Sequence, residues 1–96
     1  MNLESPAVAA DYLDKLFEEA PSTEDISKLL EGTRKVAEAN GGVSLVAKDA
    51  RVSREALYRA LSTNGNPTLR TLCSVLQVMG MRLSVKPVVS PTKDCN

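Results

Sequence analysis

Apolar residues recur at helical spacing through most of this chain, and short polar or glycine-containing breaks divide them into separate runs. Val8, Tyr12, Leu16 and Phe17 form the first run, opened by Pro6 at a position where a missing N–H costs nothing and closed by Pro21. Ser22 reads as the cap of a second helix, with Asp25 three residues on in place of the usual Glu or Gln of a capping box. Its stripe is Ile26, Leu29, Leu30, Val36 and Ala37, interrupted by Gly32 at about 1 kcal/mol relative to Ala. Asn40, Gly41 and Gly42 end it, because these residue types tolerate a left-handed C-cap. A short helix over about 43–50 follows. Ser53 then caps another over about 54–61, with Val52 and Leu57 placed to form a hydrophobic staple. The polar turn Ser62–Pro67 leads to a fifth helix over 68–79, with Leu69, Leu72, Cys73, Leu76 and Met79 on one face and Gly80 at its end.

The period then changes. Met81, Leu83 and Val85 alternate with Arg82, Ser84 and Lys86, which predicts a half-buried β-strand over 81–86, stopped by Pro87. Residues 88–96 read as a flexible tail. The pattern therefore predicts one all-α domain over 1–87. It has N-terminal helices over 1–40, a helix-turn-helix over 43–61, a fifth helix over 68–79 and a terminal strand. A lone strand after five helices leaves its backbone groups without a ladder partner. A second copy of the chain, antiparallel across a two-fold axis, supplies one, so a homodimer through Met81, Leu83 and Val85 is expected. The alternative is a segment folded back on its own helices or simply disordered.

Composition narrows this picture. Ninety-six residues with two tyrosines, one phenylalanine and no tryptophan must build a mainly aliphatic core. No apolar run approaches the roughly 18 residues of a membrane span. The first residues lack a basic start and carry acids early, unlike a secretory signal, so a cytoplasmic protein is expected. Cys73 lies within a helical pattern and is expected as a small core residue, while Cys95 is penultimate; together they make no disulfide framework. With no histidine and no paired cysteine spacing, neither a metal site nor another cofactor is expected.

Charge changes it more. The chain is neutral overall, but residues 1–32 carry eight acids and two bases, and residues 33–96 carry ten bases and four acids. The two parts thus stand at −6 and +6. Such a split suits a polyanion at one end and a basic partner at the other, or two ordinary solvated surfaces.

The helix-turn-helix carries the candidate chemistry. Ala47 is small where its helix must approach the next, and Val46, Ala50, Val52 and Leu57 are apolar at the positions that lock the pair. Ala56, Leu57, Ala60 and Leu61 face mostly inward, leaving Arg54, Glu55, Tyr58 and Arg59 outside. In a docked helix-turn-helix the start of the second helix reaches base edges in the major groove. An arginine there reads guanine through a bidentate bond, and a tyrosine meets a phosphate or a thymine methyl. The plainer alternative is a solvated face with Glu55 and Arg59 as an i,i+4 pair. No histidine, glycine-rich phosphate loop or cysteine with a base partner suggests an enzyme.

The stretch GGVSLVAKDARVSREALYRALSTNGNPTLRTLCSVLQVMGMRLSV, from Gly41 to Val85, resembles the probable addiction-module antidote proteins. These are a branch of the lambda-repressor-like helix-turn-helix superfamily related to HigA-type antitoxins. DYLDKLFEEA, from Asp11 to Ala20, resembles the family's N-terminal helix more weakly. The resemblance implies a five-helix fold, an antitoxin encoded beside a RelE/ParE-like toxin, and binding of double-stranded DNA at its own operator. It puts Ser53, Arg54, Glu55, Tyr58 and Arg59 on the recognition helix, with Ser44 and Asn64 at backbone phosphates. The family usually has glycine in the turn where this chain has Arg51. That residue must either adopt a left-handed φ at roughly 1 kcal/mol or shift the turn, and it adds a positive charge near the DNA face. The acidic first 32 residues would suit a small basic toxin. A stand-alone or phage-type regulator, or a protein-interaction module that binds no DNA, are the alternatives.

Overall fold

The computed structural model describes residues 2–19, 26–62 and 64–87. Five α-helices follow one another: α1 (Pro6–Glu19), α2 (Ile26–Ala39), α3 (Val43–Ala50), α4 (Arg54–Ala60) and α5 (Leu69–Val78). No strand occurs among the described residues. The Ser22–Asp25 cap and the tail from residue 88, including Cys95, lie outside them. Among the described residues, no helix is long and apolar enough to cross a membrane.

All five helices contribute buried side chains to the core. Its largest fully enclosed side chains are Val36, Val46, Leu57 and Val75, one each from α2, α3, α4 and α5. Around them α3 packs on both α4 and α5, and α2 packs on α3. The α1 helix is added to this group by lying against α2, burying Ala9 and Leu13. Gly32, which interrupts the apolar stripe of α2, faces α1 at close range. A Cβ there would run into the Leu16 side chain and lie 3.4 Å from atoms of Leu13 and Tyr12. Nearby, buried Thr33 donates its hydroxyl to the Leu29 carbonyl at 2.8 Å. The Asn40 amide donates to the Val36 carbonyl at 2.8 Å and to the Leu3 carbonyl at 3.2 Å, tying the N-terminal segment to the end of α2.

Thr68 caps α5 by accepting the Thr71 N–H at 3.1 Å. At the other end the Gly80 N–H reaches the Gln77 carbonyl and the Met81 N–H the Leu76 carbonyl, a complete Schellman motif. The inward stripe of α5 is Leu72, Val75, Leu76 and Met79. This corrects the expectation for Cys73, which is exposed. A stripe at the spacing 72, 75, 76, 79 leaves position 73 about 100° of helical rotation from 72, toward solvent. Leu69, 69% exposed, lies outside the stripe as well.

The strand expected over 81–86 is absent from the single chain. Its alternation survives only in part. Met81 and Leu83 are half-buried against the core, while Val85 is 97% exposed. The physical reason is that a ladder needs a second strand, and within one chain the apolar positions find helices instead. The Lys86 ammonium donates to the Asp14 carboxylate of α1 at 2.8 Å, fastening the end of this segment.

Candidate nucleic-acid interface

The turn between α3 and α4 is set by backbone hydrogen bonds. Arg51 adopts φ 63° and ψ 40°, the left-handed region, and is the sole non-glycine residue with positive φ among those described. Its N–H reaches the Lys48 carbonyl at 3.2 Å, and the Val52 N–H reaches the Ala47 carbonyl at 3.0 Å. This is a second Schellman motif, with arginine in the place that favours glycine. Of the two possibilities for Arg51, the chain therefore takes the strained one and keeps the turn's shape.

The turn delivers Ser53 in an extended conformation, where its hydroxyl oxygen accepts the Ala56 N–H at 3.0 Å and starts α4. Glu55 in the first turn and Arg59 in the last complement the helix dipole. Leu57 is fully buried and Leu61, which ends the helix, nearly so. Val52 is half-buried against the same core. With its inner side fixed in this way, α4 leaves Arg54, Glu55, Tyr58 and Arg59 on one shallow, open surface depression. The Glu55–Arg59 ion pair of the plainer alternative does not form. Among the described residues the pairs are Asp11–Lys15, Arg34–Glu38 and Asp14–Lys86. Arg54 and Arg59 thus face solvent with no carboxylate partner among the described residues.

Behind α4 the chain turns sharply. The Ser62 hydroxyl donates to the Arg59 carbonyl at 2.8 Å, and the Gly65 N–H reaches the Ser62 carbonyl at 2.8 Å. Gly65 passes so close that a Cβ would collide with the Ala60 carbonyl and lie 2.8 Å from the Arg59 oxygen. The Asn-Gly-Asn-Pro sequence therefore has a steric reason at its glycine as well as turn propensity around it.

All eight residues singled out for DNA contact are exposed: Ser44, Arg51, Ser53, Arg54, Glu55, Tyr58, Arg59 and Asn64. Four of them share the depression on α4. Ser44 at the start of α3, Arg51 in the turn, Ser53 at the N-cap of α4 and Asn64 beyond α4 lie outside it. Sequence reasoning missed one member of this surface. The Arg34 guanidinium of α2 lies over the Tyr58 ring, with Cζ 5.7 Å from its centroid. No spacing rule links these two positions, so only the folded chain, in which the Arg34 side chain reaches Tyr58, reveals the pair. Among the described residues no three His, Cys, Asp or Glu side chains group as metal ligands.

The arrangement defines a class: a small all-helical protein that holds a short, cation-bearing helix outward on an aliphatic core. The chain belongs to the family described as "Probable addiction module antidote protein", which matches residues 1–87. Membership implies, in general terms, an antitoxin role and a toxin partner. A Haemophilus influenzae protein (strain Rd KW20), described as "Uncharacterized protein", is 35% identical over 75 residues, covering 78% of this chain and 72% of the relative. No solved structure gives a significant match.

Proposed function

We propose that this antidote protein is a sequence-specific DNA-binding repressor with a HigA-like, lambda-repressor-like helix-turn-helix, acting in the cytoplasm on the operator of its own toxin–antitoxin module. In this reading α3 and α4 are the two helices of the motif and α4 enters the major groove. The observation that carries it is the α4 face: two arginines with no carboxylate partner among the described residues and a tyrosine, on a helix whose other side is locked in the core. Arg54, in the first turn, reads a guanine edge through a bidentate hydrogen bond. Tyr58 and Arg59 extend the contact, and Glu55 accepts from a cytosine amine. Ser44, Arg51, Ser53 and Asn64 hold the phosphate backbone, which sets register and not sequence.

Two further parts complete the proposal. A second copy pairs with the 81–86 segment through Met81, Leu83 and Val85, giving a homodimer on a pseudo-palindromic operator with half-sites about one helical turn apart. The acidic N-terminal helices receive a small, basic, RelE/ParE-like toxin. The exposure of Val85 and the acidic charge of residues 1–32 support these two contacts.

The test is fluorescence anisotropy on the duplex upstream of the protein's own gene against a scrambled duplex, over a range of salt. Binding should favour the upstream duplex and fall linearly in log K against log salt. Arg54→Ala should cost about 1–3 kcal/mol on the preferred duplex and much less on the scrambled one. Weak, equal binding of both duplexes by the unmodified chain would reject the operator. Sedimentation of the full chain beside a variant lacking residues 81–96 should show a dimer and a monomer; the same oligomeric state in both would reject the strand contact.

A further inference from the structure

Arg34 stands outside the helix-turn-helix, in the middle of α2, yet it shares a surface with the helix proposed to read DNA. Its guanidinium lies over the Tyr58 ring. Its Nε contacts the Glu38 carboxylate at 3.5 Å, and its side chain remains 45% exposed. The contact to Glu38 runs through Nε, and the exposed remainder of the guanidinium is open to a further acceptor. Tyr58 in turn is 42% exposed and lines the depression with Arg54, Glu55 and Arg59.

A guanidinium against an aromatic face is an attractive pair, stronger where water is excluded. The planar group also keeps its donors in a fixed fork suited to phosphate. Docking DNA against α4 would remove water from both sides of this pair at once. Tyr58 would then be held from behind by a cation that also reaches the sugar–phosphate backbone.

We propose that Arg34 is a positioning residue for Tyr58 and the donor of a further backbone phosphate contact, so that the DNA-binding surface extends from α4 onto α2. This rests on the DNA-binding reading given above. Glu38 acts as a counterweight: it orients the guanidinium in the free protein and opposes the approaching phosphate.

Three sets of measurements test it on the full chain. The first needs no DNA. The chain contains two tyrosines, Tyr12 and Tyr58, so their ring resonances can be told apart. Arg34→Ala should shift the Tyr58 ring protons and leave those of Tyr12 in place. Unmoved Tyr58 signals would overturn the positioning role.

The second uses the duplex upstream of the gene. Arg34→Ala should weaken binding roughly tenfold, the scale of one charge-directed hydrogen bond, and reduce the salt slope by about 0.9, the value for one phosphate. Arg34→Lys should restore the slope but not the Tyr58 shift, since an ammonium has no planar face. Glu38→Gln should tighten binding. An unchanged slope in Arg34→Ala, with the unmodified chain still binding its preferred duplex, would overturn the phosphate contact alone. No salt-dependent binding by the unmodified chain would overturn the DNA reading and the phosphate contact together.

The third is a double-mutant cycle. In a Tyr58→Leu background the loss from Arg34→Ala should shrink, because part of it passes through the ring. Strictly additive losses would reject the coupling. A melting temperature close to that of the unmodified chain identifies Arg34→Ala as folded.

Discussion

The α3–α4 pair and the α1 helix with the 81–87 segment are held in opposite ways. The pair has Val46, Ala47 and Leu57 enclosed, its turn fixed by two backbone hydrogen bonds and its second helix started by the Ser53 cap. By contrast, α1 packs on one neighbouring helix, and its outer side carries the exposed Asp11–Lys15 and Asp14–Lys86 pairs. Exposed pairs of this kind contribute little. The difference follows from what each region presents. A helix that must place side chains against another molecule's atoms needs its own backbone fixed first, because looseness in the support becomes looseness at the site. A helix whose outer face offers mostly charge, with Phe17 half-exposed among it, has no such requirement.

The contrast can be broken most directly at Leu57. Leu57→Ala removes a fully buried side chain at the junction of α4 with the core and should cost about 2–5 kcal/mol. Denaturant melts should record that loss, and DNA binding should fail with it. A loss under 1 kcal/mol would mean that α4 docks on the core only loosely.

Gly65→Ala comes next. The added methyl meets backbone carbonyl atoms of Ala60 and Arg59, which cannot rotate aside, so the turn must open at about 1–3 kcal/mol. The same change at Gly32 meets the far end of the Leu16 side chain, which can move. Thermal melts of the two variants should therefore rank Gly65→Ala as the worse. The reverse order would place the tighter constraint on α1.

These two positions also show what the sequence could reveal. Helices α3 and α4, the Ser53 cap and the outward set on α4 are legible because each depends on residues within about a turn of one another. The two options at Arg51 follow from its chirality, but only the hydrogen bonds decide between them. Cys73 falls on the wrong side of the sequence pattern because a ten-residue helix permits two adjacent readings of its stripe. Including Leu69 favours the wrong one, and Val75, the fully enclosed residue, belongs to the other. The 81–86 alternation is real for Met81 and Leu83, but a period cannot say whether helices or another strand cover it. Arg34 is the extreme case, since its relation to Tyr58 exists only once the tertiary fold brings the two side chains together.

Arg51→Gly should change the two properties of the recognition region in opposite directions. Relief of the left-handed arginine should raise stability by up to about 1 kcal/mol. Loss of the cation should at the same time weaken operator binding and lower its salt slope. Paired melts and anisotropy titrations follow both quantities. If both fall, Arg51 supports the turn through contacts of its side chain, and the strain argument fails.

The smallest global effect is expected at the opposite end of the molecule. The hydrogen bond to Asp14, then the charge of that carboxylate and of Glu18, hold the Lys86 ammonium above its ordinary pKa of 10.5. A raised basic group gives its stabilisation in full below the unfolded value, and that contribution disappears as pH climbs through the higher folded value. The fastening of residues 81–87 to α1 should therefore be intact at neutral pH and lost only in strong alkali. Asp14→Asn removes the charge at any pH. It should leave the melting temperature nearly unchanged, because the pair is open to solvent, but increase amide exchange across residues 81–87. Added salt should do the same to the unmodified chain. If Asp14→Asn lowered the melting temperature as Leu57→Ala does, the periphery would share the core's cooperative unit, and the two regions would differ in charge alone.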